Sequence, residues 1–148
     1  MIEKVSMCGY RCDLCRAFAP NIESNDERKA LSSMWSKYYD LSISSDKIYC
    51  DGCRADGEST KRLDMECPVR KCVIKKLVDH CGECMEFPCE VFREREGLSF
   101  HEAYCKLGEN FSPEEFMSYL VAFDNMTRLK EYVENQRHKK NETEEISE

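Results

Sequence analysis

The stretch CGECMEFPC, residues 81–89, contains three cysteines, two of them in a C-x-x-C pair. Three more clusters precede it, which are CGYRCDLC at 8–15, CDGC at 50–53 and CPVRKC at 67–72. Two residues between paired cysteines form a tight turn that directs both sulfurs toward one ion, and a glycine in the turn accepts a positive φ. Four thiolates held in this way satisfy the tetrahedral coordination of zinc. The pattern therefore predicts a domain organised around metal-binding loops.

The spacing of the clusters predicts two zinc sites. The first site is assigned to two C-x-x-C pairs, which are Cys12, Cys15, Cys50 and Cys53. The second site draws on the later clusters, namely Cys72, Cys81, Cys84 and Cys89. Two further thiols leave the partition open, because Cys67 can replace Cys72 or Cys89, and Cys8 can replace Cys12. Each zinc ion takes four sulfurs at about 2.3 Å.

The composition indicates a thin hydrophobic core for a chain of 148 residues. Charged residues make up 34% of the chain, and much of its 41% hydrophobic share comes from 11 cysteines and 7 tyrosines. Metal ligation is therefore expected to supply stability that apolar burial does not. We predict a cysteine-rich zinc-binding domain at residues 1–96, a helical extension packed on it at 97–135, and a disordered polar tail at 136–148.

The N-terminus and the charge of the chain indicate its compartment and its partners. Residues 1–8 contain neither a charged-then-apolar run nor a small-residue cleavage site, which predicts that no secretory signal is present. No apolar stretch approaches the roughly 18 residues that a membrane span needs. We therefore expect a cytoplasmic protein whose thiols stay reduced and bind metal. The net charge of −7 disfavours nucleic acid, so we expect an unknown protein partner and no membrane.

Helix signals recur between the cysteine clusters and continue after them, whereas strand signals are few. Capping boxes at Ser24–Glu27, Ser99–Glu102 and Ser112–Glu115 predict three helix starts. Pro68 and Pro88 suit the first turns of two more helices. The helix after Ser24 has an apolar stripe composed of Leu31, Met34, Trp35 and Tyr38. The predicted fold is a small, mainly α, metal-stabilised domain with irregular cysteine-knuckle loops and little β structure.

Iron–sulfur chemistry is the main alternative to zinc. The spacing of Cys8, Cys12 and Cys15 equals that of the iron–sulfur loop in radical S-adenosylmethionine enzymes. Those enzymes need a partial α/β barrel, and the chain lacks the alternating strands and helices of one. An iron–sulfur or thiol redox protein stays as the alternative function, and buried thiols or disulfides without metal are a further interpretation. A nucleic-acid-binding zinc-knuckle module is the second alternative.

The sequence does not indicate a catalytic reaction. It contains no Ser-His-Asp set, phosphate-binding loop or H-E-x-x-H motif. A zinc ion with four thiolate ligands has no open coordination position at which water is activated. We therefore expect a non-enzymatic interaction module rather than an enzyme.

Several residues outside the clusters give weaker signals. His80, next to Cys81, can ligate zinc or hydrogen-bond a thiolate, but its position favours the C-terminus of a helix, where the dipole stabilises it. His101 and Cys105 lie four positions apart on a predicted helix and can chelate one ion, although an ordinary helix face is the preferred interpretation. A basic group is expected to neutralise the thiolate centres, and it consists of Arg70, Lys71, Lys75 and Lys76.

The ordered clusters also match a family pattern. The matching runs are Cys8-Gly9-x-x-Cys12-x-x-Cys15, Cys50-x-Gly52-Cys53, Cys67-x-x-Arg70-x-Cys72 and Cys81-x-x-Cys84-x-x-Phe87-Pro88-Cys89. Over about residues 5–95 the chain resembles the prokaryotic cysteine-rich family called domain of unknown function 3795. The resemblance implies a zinc-binding domain and supplies no reaction or substrate. Members often have a further cysteine where this chain has Asp64, so a ligand set that uses that position does not transfer.

Overall fold

The structure is a computed structural model that describes residues 5–146, with side chains up to residue 140. The α-helices are α1 (Ala19–Ser24), α2 (Arg28–Tyr39), α3 (Pro68–Lys76), α4 (Glu90–Arg93), α5 (Phe100–Leu107), α6 (Pro113–Glu115) and α7 (Asn125–Ile146). Short 3-10 turns lie at Cys12–Leu14, Ser45–Lys47, Cys81–Glu83, Gly108–Asn110 and Val121–Phe123, and a π-helical turn lies at Phe116–Leu120. Within residues 5–146, β structure is limited to isolated bridges that pair Val5 with Arg11 and Phe18 with Cys50. The predicted mainly α class with little β structure is confirmed.

Helix α2 has the predicted apolar stripe. Leu31, Trp35 and Tyr38 are buried at spacings of four and three residues, and so lie on one face of the helix. The helix ends at Tyr39, and Asp40 follows in the left-handed region with a φ of 58°. The Asp40 amide still donates to a helical carbonyl, which satisfies one of the acceptors at the end of the helix.

The start of α2 differs from the prediction. Ser24 is the last residue of α1, and its hydroxyl donates to the Asn21 carbonyl instead of accepting from a later amide. The Asp26 carboxylate accepts the hydrogen bonds at the start of α2 instead. It accepts the Arg28 amide at 3.1 Å and the Arg28 guanidinium at 2.9 and 3.0 Å. The Ser24–Glu27 capping box is therefore wrong, since Ser24 already belongs to the preceding helix.

The other two capping boxes lie at helix starts, as predicted. At α5, the Glu102 amide donates to the Ser99 hydroxyl, and the Glu102 carboxylate accepts the Ser99 amide. At α6, the Glu115 amide donates to the Ser112 hydroxyl at 3.3 Å. The Glu115 carboxylate does not return to Ser112 but accepts the Tyr38 hydroxyl at 2.9 Å. This contact ties α6 to α2.

Two hydrophobic clusters form the core, and each joins residues from both sides of residue 97. The first lies between α2, α5 and the turns of 116–123, and its larger members are Leu31, Trp35, Tyr38, Phe116, Leu120 and Phe123. The second lies between α3, α4 and the start of α7, and its members are Val5, Cys8, Val69, Val73, Cys81, Phe92, Met126 and Leu129. The C-terminal helices therefore complete both clusters and do not form a core of their own.

The last helix extends further than the sequence suggests. Helix α7 continues to Ile146, whereas residues 136–148 are predicted to be a disordered tail. Much of this segment is glutamate, lysine, arginine and glutamine, which favour the continuation of a helix that has already begun. Residues 147 and 148 lie outside the described residues. Neither α7 nor another helix of residues 5–146 is long and apolar enough to cross a bilayer.

Asn125, at the start of α7, joins three parts of the chain. Its side chain is fully buried. The Nδ2 atom donates to the Cys8 carbonyl at 2.9 Å and to the Arg95 carbonyl at 3.0 Å, and Oδ1 accepts the Gly97 amide at 3.0 Å. The Gly97 turn is tightly packed as well, because a Cβ atom there would lie 1.8 Å from the Phe123 carbonyl oxygen. One side-chain amide therefore positions the N-terminal cysteine loop against the last helix.

Replacing Asn125 by alanine is expected to lower the free energy of unfolding by about 3 kcal/mol, because buried backbone groups lose their partner. Asn125→Asp should cost at least as much, since a carboxylate cannot donate to two carbonyls. Urea unfolding followed by circular dichroism measures both effects. Asn135→Ala, at an exposed position of the same helix, is the control and should change stability by less than about 0.5 kcal/mol. Equal effects at the two positions would contradict the assigned role.

Candidate metal centre

Four of the cysteines predicted as ligands line one small cavity. Cys72 lies in α3, Cys81 begins a 3-10 turn that Cys84 follows, and Cys89 immediately precedes α4. The cavity among them has a volume of about 10 Å³, which is the room that one water-sized particle occupies. Its other walls are largely apolar and include Val73, Val78, Phe87, Val91 and Phe92. The structure therefore brings the four cysteines of the second predicted set together.

Main-chain hydrogen bonds hold the Cys81–Cys84 pair in place. The Cys84 amide donates to the Cys81 carbonyl at 3.0 Å, which closes the turn. The Phe87 amide donates to the Cys84 carbonyl at 3.2 Å and continues the chain toward Cys89. The Cys81 amide donates to the Met7 carbonyl at 2.9 Å. This last bond attaches the pair to the N-terminal cysteine loop.

A lysine ammonium lies beside this set. Lys76 Nζ is 3.4 Å from the Cys84 sulfur and 2.7 Å from a carboxylate oxygen of Glu86. Both contacts raise the pKa of Lys76, and Glu86 makes the larger contribution. Arg70, another member of the basic group, donates to the Cys53 carbonyl at 2.8 Å. Two of the four basic residues therefore contact the cysteine loops directly.

The first predicted set is built from two turns. Cys12 begins a 3-10 turn and Cys15 follows it, with the Cys15 amide donating to the Cys12 carbonyl at 3.1 Å. Cys50 precedes the second turn and Cys53 lies in it, and this turn is closed by the Ala55 amide donating to the Gly52 carbonyl at 3.3 Å. A parallel β-bridge between Phe18 and Cys50 brings the second turn beside the segment that follows the first. The bridge thus joins parts of the chain that are more than thirty residues apart.

Main-chain amides donate to two sulfurs of this set. The Met7 amide donates to the Cys53 sulfur at 3.2 Å, and the Gly52 amide donates to the Cys50 sulfur at 3.4 Å. Gly52 has a φ of 95°, which is the conformation that the glycine of the knuckle was expected to adopt. Amide donors of this kind stabilise a thiolate more than a thiol.

Burial raises the pKa of several of these thiols. It raises the pKa of Cys15 to about 11 and those of Cys8 and Cys81 to about 12. Burial also raises the pKa of Cys12, and repulsion from the neighbouring Cys53 adds to the effect. These thiols are therefore protonated at neutral pH in the metal-free chain. A bound dication would reverse this balance, because it stabilises adjacent thiolates.

Cys8 and Cys67 lie near the first set. The Cys8 sulfur is 3.4 Å from the Ser6 hydroxyl, and its pKa is raised further by Cys53 and Cys67. Cys67 likewise contributes to the raised pKa of Cys53. Cys8 in turn contributes to that of Cys81, so it lies between the two sets. The use of Cys67 in place of Cys72 or Cys89 stays a prediction.

The sulfurs of each set are more widely spaced than in a closed zinc site. In a tetrahedral site with bonds of about 2.3 Å, neighbouring sulfurs lie about 3.8 Å apart. Among the described residues, three ligand atoms all within 4.8 Å of one another occur at Asp79, His80 and Glu83, and no three sulfurs meet this spacing. Rotation of the cysteine side chains would have to bring the sulfurs closer around an ion. The partition of the ten clustered cysteines therefore stays a prediction.

His80 does not lie where the sequence suggests. Helix α3 ends at Lys76, so the prediction of a helix C-terminal histidine is wrong. Leu77 ends the helix in the left-handed region with a φ of 60°, and the chain then turns inward. His80 is 1% exposed, and its Nδ1 accepts the Gly82 amide at 3.0 Å. Burial lowers the pKa of this imidazole.

Two acids beside His80 were not predicted as ligands from the sequence. Asp79 precedes the histidine by one residue, and Glu83 follows it by three. The spacing of three residues could have predicted that Glu83 lies beside His80, because a short turn places side chains with this spacing on the same side of the chain.

His101 and Cys105 are neighbours on the surface of α5. The His101 Nε2 atom is 3.5 Å from the Cys105 sulfur, and both residues are exposed. No third ligand atom completes this pair among the described residues. All eleven cysteines are free thiols, and Cys105 is the exposed one.

Comparison with known proteins gives one match. A family model described as a protein of unknown function, DUF3795, matches residues 4–94. Neither the curated proteins nor the solved structures contain a match to this chain.

Brief treatment of the purified, reduced protein with iodoacetamide at neutral pH is expected to modify Cys105 first. The reason is that Cys105 is exposed, whereas the other cysteines are buried or half-buried. Peptide mapping by mass spectrometry locates the label. Cys105→Ser is the control and should remove most of the early labelling. Equal early labelling of Cys15 or Cys81 would contradict the burial described above.

Proposed function

Because the chain belongs to the DUF3795 family, whose description assigns no activity, we propose a function from the residues themselves: a structural zinc-binding domain that serves as a non-enzymatic interaction module. Two zinc ions are proposed, one held by Cys12, Cys15, Cys50 and Cys53 and the other by Cys72, Cys81, Cys84 and Cys89. The observation that carries the proposal is the cavity of about 10 Å³ shared by the four cysteines of the second set.

The chemistry of the donors supports zinc. Four sulfur ligands in tetrahedral arrangement favour zinc or an iron–sulfur cluster. The Met7 and Gly52 amides and the Lys76 ammonium donate to sulfurs, and these contacts stabilise the thiolate form that the ion needs. Free thiols as ligands require a reducing compartment, so we place the protein in the cytoplasm. As alternative ligands, Cys8 can replace Cys12 at the first site, and Cys67 can replace Cys72 or Cys89 at the second.

A closed four-thiolate ion would act by linking distant parts of the chain. The first site would join residues 12–15 to residues 50–53, and the second would join α3 to residues 81–89. In zinc-finger peptides such sites contribute roughly 10–16 kcal/mol of apparent binding free energy. This magnitude suits a chain in which long loops separate the helices.

The surface near the second site supports a protein partner. Ile74, Leu77 and Met85 are exposed there, and the exposures of Leu77 and Met85 are 91% and 102%. Apolar side chains fully exposed on turns are common contact residues in protein interfaces. The nearby basic residues are engaged within the chain, since Lys71 pairs with Glu66 and Lys76 pairs with Glu86. These pairs and the net charge of −7 disfavour nucleic acid.

After dialysis against metal-free buffer, the purified protein is expected to retain two zinc ions per chain, because closed thiolate sites release zinc slowly. Cys50→Ser and Cys84→Ser should each lose one ion and most of the native helicity. Elemental analysis and circular dichroism measure the two quantities. Cys105→Ser is the matched control and should retain both ions. Native helicity in both ligand variants would refute the structural role, and iron with visible absorption would favour the iron–sulfur alternative.

Zinc binding to the metal-free chain is expected to release about four protons per ion at neutral pH. Thiols are largely protonated there, since the ordinary cysteine pKa is about 8.5, and burial raises the pKa of Cys15 and Cys81 further. The affinity for zinc should therefore increase as the pH rises from about 6 to 8. Calorimetry in buffers of different ionisation enthalpy counts the protons. Release of fewer than about one proton per ion would contradict thiolate ligation.

A further inference from the structure

We propose that Asp79, His80 and Glu83 form a third metal site, which binds a divalent transition-metal ion through one nitrogen and two carboxylate oxygens. The site uses none of the cysteines, although His80 adjoins Cys81 and Glu83 adjoins Cys84 in the sequence. Its ligand atoms all lie within 4.8 Å of one another. The histidine distinguishes this group from an ordinary pair of exposed surface acids, because its side chain is 1% exposed.

The His80 Nε2 atom is buried and has no hydrogen-bond partner among the described residues. The side chain is 1% exposed, and Nε2 makes no hydrogen bond. The ring cannot turn away, because the Gly82 amide holds Nδ1 at 3.0 Å and the Tyr132 ring packs edge-on with a centroid distance of 4.6 Å. A buried polar atom without a partner has lost its hydrogen bonds to water and gained none in return. An ion bound to Nε2 would satisfy this atom, and Nδ1 would then release the Gly82 amide.

The distance from His80 to Glu83 suits an intervening metal ion. Nε2 is 3.9 Å from Glu83 Oε1, which is too long for a hydrogen bond. Two bonds of about 2.0–2.2 Å to one ion span at most about 4.2 Å between ligand atoms. The observed gap therefore leaves room for an ion between the two side chains with little movement of either.

Other contacts orient the two carboxylates. Glu83 Oε2 accepts the Asp79 amide at 3.0 Å, which leaves Oε1 directed toward His80. Arg54 donates to Asp79 Oδ1 and to the Asp79 carbonyl, both at 2.9 Å. Such partners fix the orientation of ligands and are typical of the outer shell of a metal site. The Arg54 charge also lowers the net negative charge of the site to about that of one carboxylate.

Ion binding requires a change of tautomer at His80. The Gly82 amide donates to Nδ1, so the proton of the neutral ring lies on Nε2. When the ion takes the Nε2 lone pair, that proton leaves Nε2, another binds at Nδ1, and the Gly82 amide must turn away. The net charge of the ring does not change, and the exchange proceeds through water. The amide of Gly82 is therefore a second reporter of occupancy.

The ligand set determines the class of ion. Imidazole with carboxylates favours zinc and its neighbours in the first transition row over magnesium or calcium. Three protein ligands also leave a coordination position for water, in contrast to a closed four-thiolate site. The third ion should thus be bound more weakly and exchange with the solvent.

The test uses the full-length, reduced protein and zinc alone as the probe. Equilibrium dialysis against free zinc is expected to give one more bound equivalent in the unaltered protein than in Asp79→Asn or Glu83→Gln. Both substituted side chains are partly exposed, at 52% and 36%, so the variants should fold, and circular dichroism checks this. Glu66→Gln is the matched control, because Glu66 is an exposed acid in a single ion pair and should keep the extra equivalent.

Nuclear magnetic resonance identifies the ligand atom directly. In protein whose cysteine sites are already filled with zinc, further zinc should shift the ¹⁵N resonance of His80 Nε2 and the amide of Gly82, and neither should shift in Glu83→Gln treated in the same way. Equal zinc binding by the unaltered protein and both variants, or an unshifted His80 nitrogen at saturation, would overturn the site.

A cobalt titration separates this outcome from failure of the cysteine sites. Cobalt bound by thiolates has an intense sulfur charge-transfer band, whereas cobalt at Asp79, His80 and Glu83 does not. A missing charge-transfer band would count against the two cysteine sites alone. An equivalent of cobalt that lacks the band and is lost in Asp79→Asn would support the third site alone.

Discussion

The buried amide of Asn125 determines where the N-terminal cysteine loop lies. It bonds to the carbonyl of Cys8 within that loop and to both ends of the turn at residues 95–97. Helix α7 adds a second constraint, because Arg128 donates to the Gly9 carbonyl at 2.7 Å and a Cβ at Gly9 would lie 2.7 Å from the Leu129 side chain. Met7, in the same loop, contacts both Cys53 and Cys81 through its main chain. The two cysteine sets are therefore positioned from one loop, and that loop is held by the last helix.

Ionisation of the clustered cysteines is unfavourable, and the neighbouring protein groups compensate for it only partly. Buried thiols close to one another resist ionisation, and the raised pKa values of Cys8, Cys12 and Cys81 express this resistance. Amide donors and one lysine favour thiolates, but they are too few to balance four negative charges at each set. The proposed zinc ions would supply the positive charge that several thiolates in a desolvated site need. The Asp79–His80–Glu83 group differs from the cysteine sets in its charge and exposure. Its atom without a hydrogen bond is a neutral nitrogen, and its acids face solvent.

Local patterns in the sequence were sufficient to predict many of the helices and their caps. The stripe of α2 and the caps at Ser99 and Ser112 depend on neighbouring residues, and they were predicted correctly. Ser24 was misassigned because the S-x-x-E pattern does not show that a preceding helix already uses the serine. His80 was misassigned because no glycine marks the end of α3; Leu77 takes the left-handed conformation instead. The spacing of the cysteines identified the C-x-x-C pairs. It did not predict that Cys67 lies near Cys8 and Cys53, because that position arises from packing between distant segments.

The two core clusters have a consequence for how far the family segment is autonomous. The matched region ends at residue 94, yet both clusters are completed by side chains that come later, including Phe116, Leu120, Met126 and Leu129. A chain cut after residue 94 would leave Trp35, Tyr38 and Phe92 facing water. In this protein the family segment thus shares its hydrophobic core with α5–α7 and needs them to bury its own apolar side chains.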